Sequence, residues 1–198
     1  MTAPGLPELL EGLGETFLVP GAFPEDLYWG LLRAKWPPPA LMGAALRLLS
    51  APRKDLDVVY AGVFLLGTAG PTIHLEESAL RFGALGAAPV LEDLEELCRQ
   101  AELQPLGRLQ VDHLGALLML QAALLRRGPA GEALAQALLQ RHLGPTAELL
   151  LPQLARPGVP AFYAEAGAVL GEAVALCARV LGGAGVGDDE GGDGGGVV

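Results

Sequence analysis

The sequence predicts an all-α protein folded as a compact single-domain helical bundle. Three observations carry that expectation. Apolar residues recur at helical spacing along almost the whole chain, and no stretch sustains the apolar–polar alternation of a half-buried strand. The composition is 51% hydrophobic, 18% charged and only 5% aromatic, so the core must be built mainly from Leu, Ala and Val, and Leu and Ala cost little to place in helices. Short Pro/Gly connections separate the periodic segments, and one segment is apolar on nearly every side, as a helix at the centre of a bundle would be. With 198 residues the chain is long enough to bury a substantial core.

Pro7 to Phe17 reads as the first helix, with Glu8 and Glu11 in its opening turns, where acids complement the helix dipole. Pro24-Glu25-Asp26 opens a second, since proline and acids are tolerated at a helix start. Pro37-Pro38-Pro39 separates it from a third helix, Ala40 to Leu49. Asp55 to Leu66 makes a fourth, whose apolar face includes Val59, Val63 and Leu66, with Tyr60 and Phe64 along its edge. Gly67 to Pro71 ends it, and an ordered loop is expected as far as about Ser78. Glu92 to Glu102 forms a polar-faced helix with Leu91, Leu94 and Leu97 pointing inward. After Pro105-Leu106-Gly107, Val111 to Arg127 is the central apolar helix. Ala130 to Leu143, Thr146 to Leu154 and Pro160 to Leu181 complete the bundle. One domain over residues 1–181 follows, with residues 182–198 as a disordered Gly/Asp-rich tail that has nothing to bury.

A net charge of −10 argues against nucleic-acid binding, which needs a basic face. Asp188, Asp189, Glu190 and Asp193 lie in the tail, and without them the body still carries −6. Such a surface suits a basic ligand and also serves plain solubility. Cys98 and Cys177 are too few and too far apart for a disulfide framework or a metal cluster, and each is expected as a buried free thiol. No basic patch followed by an apolar run marks a leader at the N-terminus. Leu114 to Leu125 is too short to span a bilayer and contains Gln121. A cytoplasmic protein without stable membrane insertion is expected.

Two stretches stand out from this background. Tyr60 and Phe64, four apart on one helical stripe, are followed by the loop Gly67-Thr-Ala-Gly-Pro71-Thr-Ile-His74-Leu-Glu-Glu77-Ser78. The second stretch, Val111-Asp112-His113, stands at the entrance to the central helix. Asp112 reads there as an N-cap, accepting from free amides of the first turn, with His113 at the first helical position. Taken alone, the aromatic pair is better explained as core filling. For Asp112 a cap and a functional role weigh about equally.

In this order and separation the stretches resemble the TorD/DmsD/NarJ family of redox-enzyme maturation chaperones. Val63-Phe64, Gly67, Glu77 and Ser78 match the family's first signature, although His74, Leu75 and Glu76 stand where prolines and an aromatic are usual. Asp112-His113 matches the second, with Val111 in place of a proline and Leu117 and Met119 in place of glutamates. The resemblance implies a non-catalytic, cofactor-free cytoplasmic chaperone, monomeric or a helix-exchanged dimer. Its partner would be the apo-form catalytic subunit of a molybdopterin oxidoreductase, recognised through a twin-arginine signal peptide. Tyr60, Phe64, Glu76, Glu77, Ser78, Asp112 and His113 are the implied peptide-binding residues. Asp112 and His113 would anchor the Glu77-Ser78 loop and shape a groove, where Glu76 or Glu77 meets an arginine.

Two other classes remain open. One is a helical scaffold that kept the fold and lost peptide binding, favoured by the missing central-helix glutamates. The other is a metal-dependent hydrolase using His74, His113 and His142, for which no His-x3-His or Cys-x2-Cys spacing exists. Trp29 and Trp36 read equally as packing residues or as an exposed anchor.

Overall fold

The N-terminal periodic segment forms α1 (Leu6–Leu18) in a computed structural model that describes residues 5–22, 37–66, 72–83, 87–104 and 110–182. Among these residues the architecture is all-α. Pro7 sits in the first turn of α1, where its missing N–H has no partner to lose. Leu6, Leu9, Leu10, Leu13 and Phe17 form one buried stripe. After α2 (Pro39–Ser50) comes α3 (Leu56–Tyr60), which runs on as a π-helical turn, Ala61–Leu65. Then follow α4 (Glu77–Phe82), α5 (Ala87–Gln100) and α6 (Leu114–Arg126). α7 (Pro129–Leu138) continues through a second π-helical turn, Leu139–Leu143, into α8 (Gly144–Leu154), and α9 (Ala161–Gly182) closes the order.

α6 is the central helix the sequence predicts, with Leu114, Leu117, Leu118, Ala122 and Leu124 fully buried. It lies antiparallel against α1. Arg126 at its end pairs with Glu8 and Glu11 in the opening turns of α1, and Gly115 at its start faces Gly14 near the end of α1. A Cβ on Gly115 would stand 2.8 Å from the Gly14 carbonyl oxygen, so the two backbones touch with no room for a side chain. α9 packs along α2 and α8 and closes the other side of the core. Phe17, Tyr60, Phe64, Phe162 and Tyr163 gather from α1, the α3–π element and α9 into one aromatic cluster, with Tyr60–Phe64 and Phe64–Tyr163 centroids 4.9 Å apart.

Several expected details are corrected. Val63 is buried, but Leu66 is 70% exposed and Val59 only half-buried; Leu56, Tyr60, Val63 and Phe64 form the inward face instead. For Leu66 the π turn is the reason: its N–H reaches back to the Ala61 carbonyl at 2.8 Å, and this wider turn rotates it off the helical stripe. Glu77 and Ser78 begin a helix rather than end a loop. α5 starts at Ala87, ahead of Glu92, and Val90 rather than Leu91 joins Leu94 and Leu97 in the core. No break separates the segments expected at Ala130–Leu143 and Thr146–Leu154, because Pro145 falls in a first helical turn, where proline fits. Gly182, expected to open the tail, is the last residue of α9.

Cys98 and Cys177 are buried free thiols, and burial pushes the Cys177 thiol up to about 12. No helix among the described residues is long and apolar enough to cross a membrane. The helix opened by Pro24, both tryptophans, residues 67–71 and 105–107, and the segment from residue 183 onward lie outside the described residues.

Candidate binding site

The two singled-out stretches meet. Glu76 and His113 form an antiparallel bridge, flanked by the Leu114 N–H donating to the Leu75 carbonyl at 2.7 Å and the Glu77 N–H donating to the Asp112 carbonyl at 2.9 Å. Asp112 Oδ2 accepts from both the Ser78 N–H at 3.2 Å and the Ser78 hydroxyl at 2.5 Å. Asp112 therefore caps α4, a helix it does not belong to. The cap of α6 is His113, whose Nδ1 accepts from the Gly115 N–H at 3.1 Å. This reverses the expected assignment, in which Asp112 capped α6 and His113 sat inside it. Chain entry explains the change: the bridge to Leu75–Glu77 draws residue 112 out of helical register and aims its carboxylate across the junction.

An accepting Nδ1 requires the neutral ring. Burial lowers the His113 pKa, against the opposing pull of the Glu76 and Asp112 carboxylates. Asp112 is itself buried, and its second oxygen, Oδ1, has no hydrogen-bond partner among the described residues.

Glu77, the first residue of α4, is wholly buried with both oxygens engaged. Oε1 accepts from Arg81 one helical turn on, and Oε2 stands 2.9 Å from His142 Nδ1. His142 lies on the second π turn and is buried; its Nε2 stands 2.9 Å from Asp93 Oδ2 on α5. Arg141 donates to Asp93 Oδ1 at 2.7 Å, and Arg81 donates to the Arg141 carbonyl at 3.0 Å. These contacts close a ring through α4, α5 and the π turn. Of its members, the sequence pointed to Glu77 as a peptide-binding residue and to His142 only as a metal ligand. The Glu77–Arg81 spacing is a readable one-turn ion pair; the partnership of Glu77 with His142, 65 residues later, leaves no local signal.

Tyr60 and Phe64 are core residues. The Tyr60 hydroxyl donates to the Phe17 carbonyl at 3.0 Å, and burial, reinforced by the Glu76 carboxylate, pushes its pKa up to about 12. Glu76 is half-buried, and no ion pair engages it among the described residues. Of the seven candidate residues, all but Glu76 and His113 are buried. Two open grooves, of about 420 and 450 Å³, run along α8 and α9, and none of the seven candidates lines either one.

His74 is exposed, His113 is a cap and His142 sits between carboxylates. No group of three metal-ligating side chains converges among the described residues. A scan against models of known protein families matches none of them, and no curated protein matches the sequence significantly.

Proposed function

We propose that the chain is a non-catalytic chaperone resembling the TorD/DmsD/NarJ type. It binds an arginine-bearing apolar segment of the apo catalytic subunit of a molybdenum-containing oxidoreductase and shields it in the cytoplasm until cofactor insertion is complete. The observation that supports this reading is the direct bond between the two signature stretches: Ser78 and Asp112, 34 residues apart, are joined through one carboxylate oxygen. Most of the signature residues then act as a clasp that fixes the α4–α6 junction.

Glu76 is left to meet a ligand. Glu77 has both oxygens committed inside the protein, whereas Glu76 stands at the rim of the bridge, close enough to Tyr60 and His113 for its charge to act on both. A carboxylate so held takes a guanidinium in a bidentate pair more favourably than an ammonium. Val58, Leu65 and Leu66, exposed on the α3–π element that carries Tyr60, offer apolar contact for the rest of the segment. Reversible binding suits a client that must be released once folded.

The scaffold alternative is favoured by Leu117, fully buried where the family places an acid, and by the burial of Ser78 and Asp112. A titration with a twin-arginine peptide and its twin-lysine counterpart separates the two. Saturable binding that prefers arginine and shifts the amide resonances of Glu76 and His113 supports the chaperone. Absence of binding by either peptide supports the scaffold. Shifts confined to Leu151, Gly171 and their neighbours would move the client site to the α8–α9 grooves.

A further inference from the structure

Both ring nitrogens of His142 stand against acids: Glu77 Oε2 on α4 and Asp93 Oδ2 on α5, each at 2.9 Å. A neutral imidazole carries a single N–H and can donate to one of them, leaving a ring lone pair against a carboxylate oxygen on the other side. The imidazolium donates to both. We propose that His142 is a proton-dependent positioning residue: its imidazolium clamps α4 to α5, and loss of one ring proton releases that clamp and loosens the start of α4 at the Glu76–Ser78 junction.

Charged groups face the ring from each of the three segments. From α4 they are Glu77 and Arg81, from α5 Asp93, and on its own segment Arg141. Arg81 and Arg141 each neutralise one of the two carboxylates, so the second ring proton adds one positive charge to the ring of contacts. Solvent relieves part of that charge, because the Asp93 and Arg141 side chains are 34% and 48% exposed. The sign is fixed by donor count: at low pH the ring makes one charge-assisted bond to α4 and one to α5, and as pH rises one of the two is lost.

The bond sits beside the bridge, because Glu77 also donates its N–H to the Asp112 carbonyl and begins the helix that Asp112 caps. The inference stands on the ring geometry and does not depend on the client reading.

Ring nitrogen resonances of His142 and amide protection of α4 in the full chain, followed over about pH 5 to 8 where imidazoles ordinarily titrate, provide the test. Both nitrogens are expected to be protonated at the acid end. Loss of one proton is expected to coincide with a fall of about tenfold or more in α4 protection, the equivalent of one charge-assisted hydrogen bond. His142→Gln, which presents no titrating ring, is expected to abolish the pH dependence, while His74→Gln, at an exposed position, keeps it. A ring with a single N–H throughout the range while α4 stays protected overturns the proposal. So does an unchanged profile in His142→Gln. If that variant fails to fold, the nitrogen resonances of the wild-type ring decide alone.

Discussion

The Asp112 carboxylate accepts the Ser78 hydroxyl at 2.5 Å and the Ser78 backbone N–H at 3.2 Å, with both residues buried. One oxygen thus satisfies two interior donors on another helix. Removing it costs more than losing an ordinary cap, because a buried amide and a buried hydroxyl are stranded together. Asp112→Ala is expected to destabilise by about 3 kcal/mol, where a plain N-cap loss is about 1 kcal/mol. Denaturant unfolding of Asp112→Ala, Ser78→Ala and the double variant checks this. The double variant should be less destabilised than the sum of the single ones, and strict additivity would break the link between the two residues.

Gly115 tests the α1–α6 crossing. Its missing side chain would meet the Gly14 carbonyl at 2.8 Å and Leu18 Cβ at 2.9 Å, atoms that cannot swing aside. Gly115→Ala is expected to cost about 1–3 kcal/mol as the helices are forced apart. Gly43→Ala in α2 is the control, because its nearest neighbour is the far end of the Arg47 side chain at 3.6 Å. It should be neutral or stabilising by up to about 1 kcal/mol, from the better helix propensity of alanine. Thermal melts of the pair decide it.

His113 gives a pH dependence of its own. Its folded-state pKa is lowered from 6.5, chiefly by burial, so the unfolded chain takes up the proton more readily. This site leaves stability intact above 6.5 and erodes it as pH falls below that value, when the imidazolium forms and the Nδ1 cap on Gly115 is lost. His113→Gln should flatten the acid-side decline in unfolding free energy. An unchanged decline would locate it elsewhere.

The helices were legible because burial imposes its period on Leu and Ala. α1, α2, α6 and α9 fall within a few residues of their expected bounds. The α3 face was misassigned because a π turn adds a residue without altering the composition that signals a helix, which put Leu66 inward on paper and outward in the fold. The pairing of Glu76–Ser78 with Asp112–His113 was readable as two unusual stretches near helix starts. Which residue caps which helix was not, because Asp112 serves α4 through a contact 34 residues distant in the chain. His142 was weighed only as a metal ligand for the same reason: a lone histidine in an amphipathic helix carries no local sign of the two acids that close on it.

Glu76 and Glu77, adjacent in sequence, are separable by experiment. Glu77 is fully buried and braces Arg81 and His142, so Glu77→Gln removes one member of an interior charge set and leaves the others unbalanced. A loss of about 3 kcal/mol or more in unfolding free energy is expected, with peptide binding falling as the fold does. Glu76 is half-buried and engages no cation among the described residues, so Glu76→Gln should leave unfolding within about 0.5 kcal/mol of the parent. If Glu76 accepts the client arginine, the same variant weakens a twin-arginine peptide about tenfold, the loss of one charge-assisted pair. It should also narrow the preference over the twin-lysine peptide. Calorimetric titration and chemical unfolding on both variants read the two quantities independently. Full-strength, arginine-selective binding by a folded Glu76→Gln protein would remove Glu76 from the contact and leave the α8–α9 grooves as the surface to probe.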